Sequence, residues 1–267
     1  METPSVIEPE ATARAYEARL VPALFQDVAK QLADGAAVHT GQDVLDVACG
    51  TGILARAISR RFEGLGSVTG VDLNPGMLAV AQCKAPGIHW QQGDAEALPF
   101  SDRTFDVVVS QFGLMLFPSP TQALREMYRV LRPRGRLTVA VFDSITRVPA
   151  YQVMSAVYSR IVDPAIGRAL QRPFSLGDTR KLTALFADAG ISAPDIRTLE
   201  TTARFPEVRD MALADIEGWF PFADIHLDES TIEAVIEQAE AALLPFCTDR
   251  GTVEFQVPVH VLSAVKF

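Results

Sequence analysis

Tyr16, Leu20, Leu24, Val28 and Leu32 recur every four residues, a spacing that lines one face of an amphipathic helix over about residues 10–34. The period then changes. Asp43–Ala48 is a short apolar run that reads as a buried strand, Gly50-Thr51-Gly52 turns the chain, and a helix follows over Ile53–Arg61. Ser67–Val71 reads as a second strand, and Pro75–Lys84 as a helix with Met77, Leu78 and Ala81 facing inward. A short strand at Ile88–Gln91, a loop through Asp94–Arg103 and the β-branched strand Phe105–Val109 continue the alternation. Ser119 and Pro120 have the character of an N-cap and a first helical residue, Pro133–Gly135 closes that helix, and Leu137–Phe142 is the next strand.

Strands and helices alternating at this spacing predict a parallel sheet with helices on both faces, because each crossover must be right-handed and return to the same sheet. The second half changes character. Thr146–Leu176 carries no clear strand, and Asp178–Ala189 reads as a helix closed by Gly190. Asp195–Phe205 is strand-like, Glu207–Phe246 is helical with Ile232, Val235, Ile236 and Ala239 on one face, and a last strand runs over about Val253–Phe267. The expected fold is therefore α/β and doubly wound, with helical insertions among its closing strands.

Composition narrows the function more than the fold. The chain of 267 residues is 48% apolar and 21% charged, enough to bury a sizeable core. Its net charge of −9, with no stripe of Lys or Arg, speaks against nucleic acid as a partner. Met1–Glu10 lacks a basic start followed by an apolar stretch, so no signal peptide is read there, and no run approaches the ~20 apolar residues of a membrane span. Cys49, Cys83 and Cys247 have neither metal-ligand spacing nor an even count, so no metal site is expected and a reducing cytoplasm is the expected compartment.

The chemistry concentrates in Val44-Leu45-Asp46-Val47-Ala48-Cys49-Gly50-Thr51-Gly52, a strand running through a glycine turn into a helix. Glycines there let backbone approach a ligand that any Cβ would meet. Taken alone, the glycines also fit a dinucleotide fingerprint, with Asp72 about 20 positions on, where that fingerprint wants an acid. Asp46 separates the two readings. A carboxylate at the mouth of the loop would repel a pyrophosphate, whereas the ammonium of S-adenosylmethionine (SAM) would find a partner there.

From Leu45 to Gly52 the chain resembles the first motif of the class I SAM-dependent methyltransferases, and within them the type 11 group that includes the ubiquinone and menaquinone methyltransferases. The resemblance continues through Val71-Asp72-Leu73-Asn74, Gly93-Asp94-Ala95-Glu96-Ala97-Leu98-Pro99-Phe100, Phe105-Asp106-Val107-Val108 and Glu126–Pro133, covering about Asp43–Val141. It implies a Rossmann-like seven-stranded sheet, mostly parallel with an antiparallel last strand, plus a helical cap. All of 1–267 would form one domain: a SAM-binding core over about 36–143, with the helix 10–34 and insertions 144–177 and 206–250 as a substrate cap.

The resemblance also implies roles. Asp72 would accept from both ribose hydroxyls. Leu73 and Met77 would flank the adenine. Asp94, next to Gly93, would take its amino group, with the Ala95 N–H on a ring nitrogen. Ala48, Gly50, Thr51 and Gly52, with Asp46, would surround the amino acid half, while Ser110, Gln111 and Phe112 would lie near the methyl group. Tyr16 would close over the methionyl part. Simpler roles compete: a turn acid for Asp46, a helix N-cap for Asp72, an Asx turn for Asp94 and core packing for Met77. One departure stands out, because the family usually carries Pro-Gly-Gly where this chain has Pro133-Arg134-Gly135. Cys49 is read as a small loop residue rather than a nucleophile.

Phe112, Leu114, Met115 and Phe117 after the fourth strand, with Trp219–Phe222 in the second insertion, suggest an apolar pocket for a small aromatic or isoprenoid-like acceptor, or else packing of cap on core. His226 beside that segment is the candidate catalytic base, against a solvent or packing histidine; His39, His89 and His260 are given no catalytic part. A homodimer is the candidate assembly. An NAD(P)-dependent oxidoreductase and a non-catalytic SAM-binding module are the rival readings.

Overall fold

The structure, a computed structural model, describes residues 9–61 and 66–267. Most of the Met1–Glu10 stretch in which no signal peptide is read lies outside the described residues. Seven strands, β1 (Asp43–Val47), β2 (Ser67–Asp72), β3 (His89–Gln92), β4 (Phe105–Gln111), β5 (Leu131–Phe142), β6 (Asp195–Phe205) and β7 (Val253–Val265), form one sheet in the order β3-β2-β1-β4-β5-β7-β6. Strands β1 to β5 pair in parallel, and β7 lies antiparallel between β5 and β6. This is the expected Rossmann-like sheet with its antiparallel last strand. Val44, Leu45, Val107, Val108, Val139 and Ala140 are buried, as strands covered on both faces require.

The topology fixes where a ligand can sit. From β1 the chain steps outward to β2 and β3, then returns across β1 to β4 and β5. The reversal opens a crevice beyond the carboxyl ends of β1 and β4, because the crossovers on either side leave in opposite directions. On the flanks, α3 (Ile53–Arg61) and α4 (Pro75–Lys84) pack against the sheet beside α5 (Pro120–Val130). Asn74 caps α4 by accepting from the N–H groups of Gly76 and Met77. Met77, Val80 and Ala81 are the buried positions of α4, while Leu78 stays half-buried.

Two departures from the sequence reading have local causes. The N-terminal helix is present, as α1 (Pro9–Ala15), a wider π-helical segment Tyr16–Phe25, and α2 (Gln26–Gly35). Pro22 lies inside the π segment, where it lacks an N–H and crowds the preceding turn; the segment ends with the Gln26 N–H bonding the Val21 carbonyl, five residues back. Leu20, Val28 and Leu32 stay in the core, whereas Tyr16 and Leu24 are half-buried and reach the crevice.

The second departure is at α5, which ends at Val130 rather than at Pro133–Gly135, with β5 beginning at Leu131. The pairing of β4 with β5 shifts register after Phe105, and Arg134 takes φ +65 there while its N–H reaches the Lys266 carbonyl. Lys266 in turn holds the Tyr128 and Leu131 carbonyls with its ammonium group, so the end of the chain satisfies the carbonyls left by the shortened helix.

The second half supplies α6 (Pro149–Ile161), α7 (Pro164–Gln171), α8 (Thr179–Asp188), α9 (Val208–Gly218) and α10 (Glu229–Ala242). The helical stretch expected over Glu207–Phe246 is broken by a 3-10 turn at Phe220–Ala223, which contains Pro221 and closes on Asp224 at φ +56. Helix α9 packs on the π segment and on α1, and α10 packs on α6 and α9. Among the described residues no helix is long and apolar enough to cross a membrane.

Arg134 is exposed and left-handed, a conformation that costs an L-residue about 1–2 kcal/mol. Replacing it by glycine removes that strain and restores about 0.5–1 kcal/mol of chain entropy loss. Arg134→Gly is therefore expected to raise stability by roughly 0.5–1 kcal/mol, read from the denaturation midpoint; a loss of stability would contradict the assignment of strain.

Candidate active site

The crevice is built around the turn that follows β1. Ala48, Gly50 and Gly52 all take positive φ, +55, +54 and +83. That succession needs little side chain, and it brings the Cys49 N–H to the Val71 carbonyl at 3.0 Å and the Gly52 N–H to the Cys49 carbonyl at 2.8 Å. Asp72, at the end of β2, completes the turn: one carboxylate oxygen accepts from the Gly50 N–H at 2.8 Å, the other from the Asn74 N–H at 2.9 Å. The helix N-cap belongs to Asn74, which sets aside the capping role considered for Asp72.

Asp46 is not where its sequence position suggested. Its side chain lies beneath the loop, 1% exposed, and one oxygen accepts the Ala55 N–H in the first turn of α3 at 3.0 Å. Burial pushes its carboxyl up to about 8, against the lowering effect of the Ala55 bond, with Asp72 adding a smaller upward push. It does not line the cavity. The reason is the alternation of the strand, since Asp46 points from β1 toward α3, so it supports the turn from below.

Thr51 and Gly52 also lie off the cavity wall. Thr51 is buried and donates to Glu17 at 2.5 Å; Glu17 holds Arg56 at 2.9 Å, and Arg56 returns a bond to the Thr51 carbonyl at 2.8 Å. This ion pair, buried between α3 and the π segment, fastens the N-terminal helix to the glycine turn. Gly52 is required by packing, because a Cβ there would stand 2.3 Å from the Trp90 ring. Ser110 is fully buried, its hydroxyl has no partner among the described residues, and it is likewise absent from the wall.

The wall does bring together Tyr16, Ala48, Gly50, Asp72, Leu73, Met77, Gly93, Asp94, Ala95, Gln111 and Phe112, from elements spread from the N-terminal helix to the end of β4, around a cavity of about 720 Å³. Asp94 faces it while its carboxylate also accepts the Glu96 N–H at 2.8 Å, so the Asx-turn role and a position on the wall coexist. Gln111 donates to the Phe25 carbonyl at 3.1 Å and leaves its own carbonyl oxygen buried without a partner. The Tyr16 phenol is held protonated by burial and by the Asp72, Glu17 and Asp46 carboxylates around it. Burial raises Asp72 as well, only partly offset by the Asn74 and Gly50 N–H groups. The end of the cavity at the turn is thus rich in carboxylate and backbone carbonyl, a setting suited to a ligand with positive charge.

His226 is not in this cavity. Its side chain is 47% exposed and faces the Asp224 carboxylate at 3.6 Å, beside a shallower pocket against α1. The left-handed Asp224 turns the chain outward just before it, which carries the imidazole away from the crevice. Of the aromatic segment next to it, Trp219 and Phe222 reach the cavity while Phe220 is buried against Tyr158. Met115, Leu116 and Phe117 line the wall, and Leu114 packs into the core.

Sequence reasoning missed part of the wall. Phe25, Phe142, Tyr151, Phe174 and Asp215 line the cavity, with Phe142 stacked on Phe112 at 3.9 Å between ring centres. The phenylalanines were hidden because they lie on elements read only for secondary structure. Asp215 did carry a signal, as a lone acid in the apolar run Met211–Ile216.

Comparison with known proteins agrees with this geometry. Residues 45–139 match the methyltransferase domain family. A ubiquinone/menaquinone biosynthesis C-methyltransferase of Roseobacter denitrificans is 42% identical over 143 residues, 51% of this chain and 56% of that protein, so the chain spans little more than half of that relative's length. A demethylmenaquinone methyltransferase of Staphylococcus haemolyticus is 35% identical over 175 residues, 60% of this chain and 73% of its own. Among solved structures, the YcgJ protein of Bacillus subtilis superposes with a TM-score of 0.59 at 20% identity, covering 90% of this chain and 98% of that one, which speaks for the fold. These matches favour SAM over a dinucleotide at the glycine turn. The chain belongs to the class I SAM-dependent methyltransferases, in the methyltransferase domain family, and its cofactor is SAM.

Proposed function

We propose that the protein transfers the methyl group of SAM, by in-line displacement, to a small apolar acceptor of aromatic or isoprenoid-like character, with a quinol-type ring as the form its named relatives suggest. The observation that carries this reading is the continuity of the cavity: the carboxylate-rich turn opens directly onto a wall of Phe25, Phe112, Phe142, Phe174 and Trp219. Two chemically different halves in one cavity suit a cationic cofactor in contact with an apolar acceptor.

On this reading Asp72 takes the ribose hydroxyls. Each of its oxygens already accepts one backbone N–H and retains a second lone pair for a hydroxyl. Leu73 and Met77 flank the adenine, Asp94 and the Ala95 N–H take its polar edge, and the Gly50 backbone and Ala48 meet the amino acid half. Gln111, Phe112 and Tyr16 stand toward the methyl group. Asp46, Thr51, Gly52 and Ser110 hold that geometry from behind rather than touching the cofactor. The insertions 144–177 and 206–250, with the N-terminal helix, form the acceptor side.

Bound there, SAM supplies a methyl group already activated on a sulfonium. What remains for the protein is to hold the acceptor in line and keep water out, and such positioning accounts for about 7–11 kcal/mol of a barrier in favourable cases. The aromatic wall is suited to both tasks.

Titration of S-adenosylhomocysteine by calorimetry tests the cofactor half. Asp72→Ala removes hydrogen bonds to a charged group worth about 1.5–3 kcal/mol each, so affinity is expected to fall at least about ten-fold. Proton linkage gives a second test. In the free protein burial raises both carboxyls, Asp46 up to about 8, so Asp46 holds a proton at neutral pH that the unburied carboxyl would have lost. A cationic amino group arriving nearby favours the carboxylates, lowers both and releases protons. Affinity should therefore rise between pH 6 and 8 and the binding heat should depend on the buffer, with Asp46→Asn flattening both; a pH-independent titration would contradict the placement.

The acceptor half is tested with labelled SAM and chemically reduced, prenylated 1,4-naphthoquinones. Label is expected in the acceptor, and Phe142→Ala is expected to raise the acceptor KM about ten-fold, equivalent to about 1.4 kcal/mol of lost contact. S-adenosylhomocysteine affinity should change little. No transfer to any aromatic or prenylated compound, with cofactor binding intact, would sink the acceptor reading.

A further inference from the structure

Asp215 sits on α9 in the wall of the cavity, and Trp219, just past the end of that helix, lines the same cavity. Its side chain is 2% exposed. A carboxyl group so deeply buried normally has a cation or several donors beside it, since an unpaired buried charge is costly. Asp215 has little of this. Among the described residues its one side-chain hydrogen bond comes from the Tyr158 hydroxyl, and that is long at 3.4 Å. The neighbouring Arg19 is committed elsewhere, to Asp210 and Glu217 on the outer side of α9.

The surroundings explain why the group is under-satisfied. Tyr151 and Tyr158 reach it from α6, Tyr151 itself lining the cavity and Tyr158 standing behind, packed edge-on against Phe220. The wall beyond them carries aromatic rings, with Tyr151 5.4 Å from Phe174 between ring centres, and the side chains of Arg168 and Arg172, of which Arg172 donates to the Leu116 carbonyl. A polar acceptor atom thus faces the chamber and lacks a close donor from the protein. An incoming molecule can supply one.

We infer that Asp215 binds the hydroxyl group of the methyl acceptor and takes its proton, so that the acceptors of this enzyme are hydroxyl-bearing aromatics, of the phenol or hydroquinone class. This rests on the acceptor reading above and deepens it. The step is a proton transfer: the acceptor O–H bond breaks, the proton goes to a carboxylate oxygen of Asp215, and the electron pair stays on the acceptor oxygen. From there it is shared with the ring, enriching either the oxygen or the adjacent ring carbon toward the methyl group. The proton leaves to water when the cavity opens. Burial raises this carboxyl above the ordinary range, so its carboxylate form is a stronger base than a solvated one, and the positive charge of SAM bound in the same cavity favours that ionised form over the neutral acid. Tyr158 stands behind the carboxyl as a positioning residue, its hydroxyl shared between Asp215 at 3.4 Å and the Ala212 carbonyl at 3.3 Å.

The test uses the whole chain saturated with S-adenosylhomocysteine and two probes differing by one hydroxyl, 2-naphthol and naphthalene. The native protein is expected to bind 2-naphthol at least about ten-fold more tightly, the discrimination available to a site with an unpaired polar group. Asp215→Leu should abolish that preference while S-adenosylhomocysteine affinity stays within two-fold. Asp215→Asn, of the same shape, should keep most of the preference but lower kcat for a hydroxylated acceptor by about 10²-fold or more, the usual contribution of a general base, with KM little changed. Equal binding of the two probes by the native protein, or a preference retained in Asp215→Leu, overturns the inference and leaves the apolar acceptor reading standing. Binding of neither probe overturns both. Should the leucine variant fail to bind S-adenosylhomocysteine, the asparagine variant decides: an unchanged kcat, or a matched loss in kcat and cofactor affinity, counts against the proton-accepting role.

Discussion

The interaction on which this structure depends is the pair of backbone N–H groups held by two buried carboxylates at the turn after β1. Asp72 holds the Gly50 N–H from the side and Asp46 holds the Ala55 N–H from beneath. The turn itself is a run of left-handed residues with few bonds of its own. Without these acceptors its donors would be buried unpaired or free to adopt another path, and the crevice would lose its floor. The cost is two carboxyl groups in a poorly solvated place, visible in their raised pKa values. Cofactor chemistry offsets that cost, because a positively charged ligand is what such a floor lacks.

The second level of organisation is the attachment of the N-terminal helix. Glu17 couples Thr51 of the turn to Arg56 of α3, and Tyr16, one residue earlier, lies over Gly50. The π-helical stretch widens the helix just where this contact is made, and Pro22 prevents it from relaxing into regular α-helix. The same segment packs on α9, which carries Asp215 and Trp219. One element therefore touches both halves of the cavity, the turn and the aromatic wall.

Individual positions show why some of the site was legible and some was not. Asp72 and Asp94, at or just past the ends of β2 and β3, and Met77 in the first turn of α4 line the cavity because the strand pattern sends these segments to the crevice. Asp46 was readable as a member of the turn but misread in its direction, since a strand's alternation sends neighbouring side chains to opposite faces and only packing with α3 shows which face is the inner one. Thr51 and Gly52 were misassigned for a related reason: their constraints come from Glu17 and Trp90, both distant in sequence. His226 failed because a single left-handed residue, Asp224, reverses the chain, and Asp tolerates that conformation without announcing it.

The sequence by itself determined the order of strands and helices, the glycine turn and the doubly wound parallel part of the sheet, because hydrophobic period, caps and crossover handedness are local or nearly local rules. Only the tertiary structure decided the aromatic wall of the cavity. Phe25, Phe142, Phe174 and Asp215 come from separate segments spread from the π segment to α9, and nothing in the period of any one of them distinguishes a residue that packs into the core from one that faces a cavity. That distinction is set by how neighbouring helices fit together, and here by the insertions that leave a gap of about 720 Å³ over the sheet.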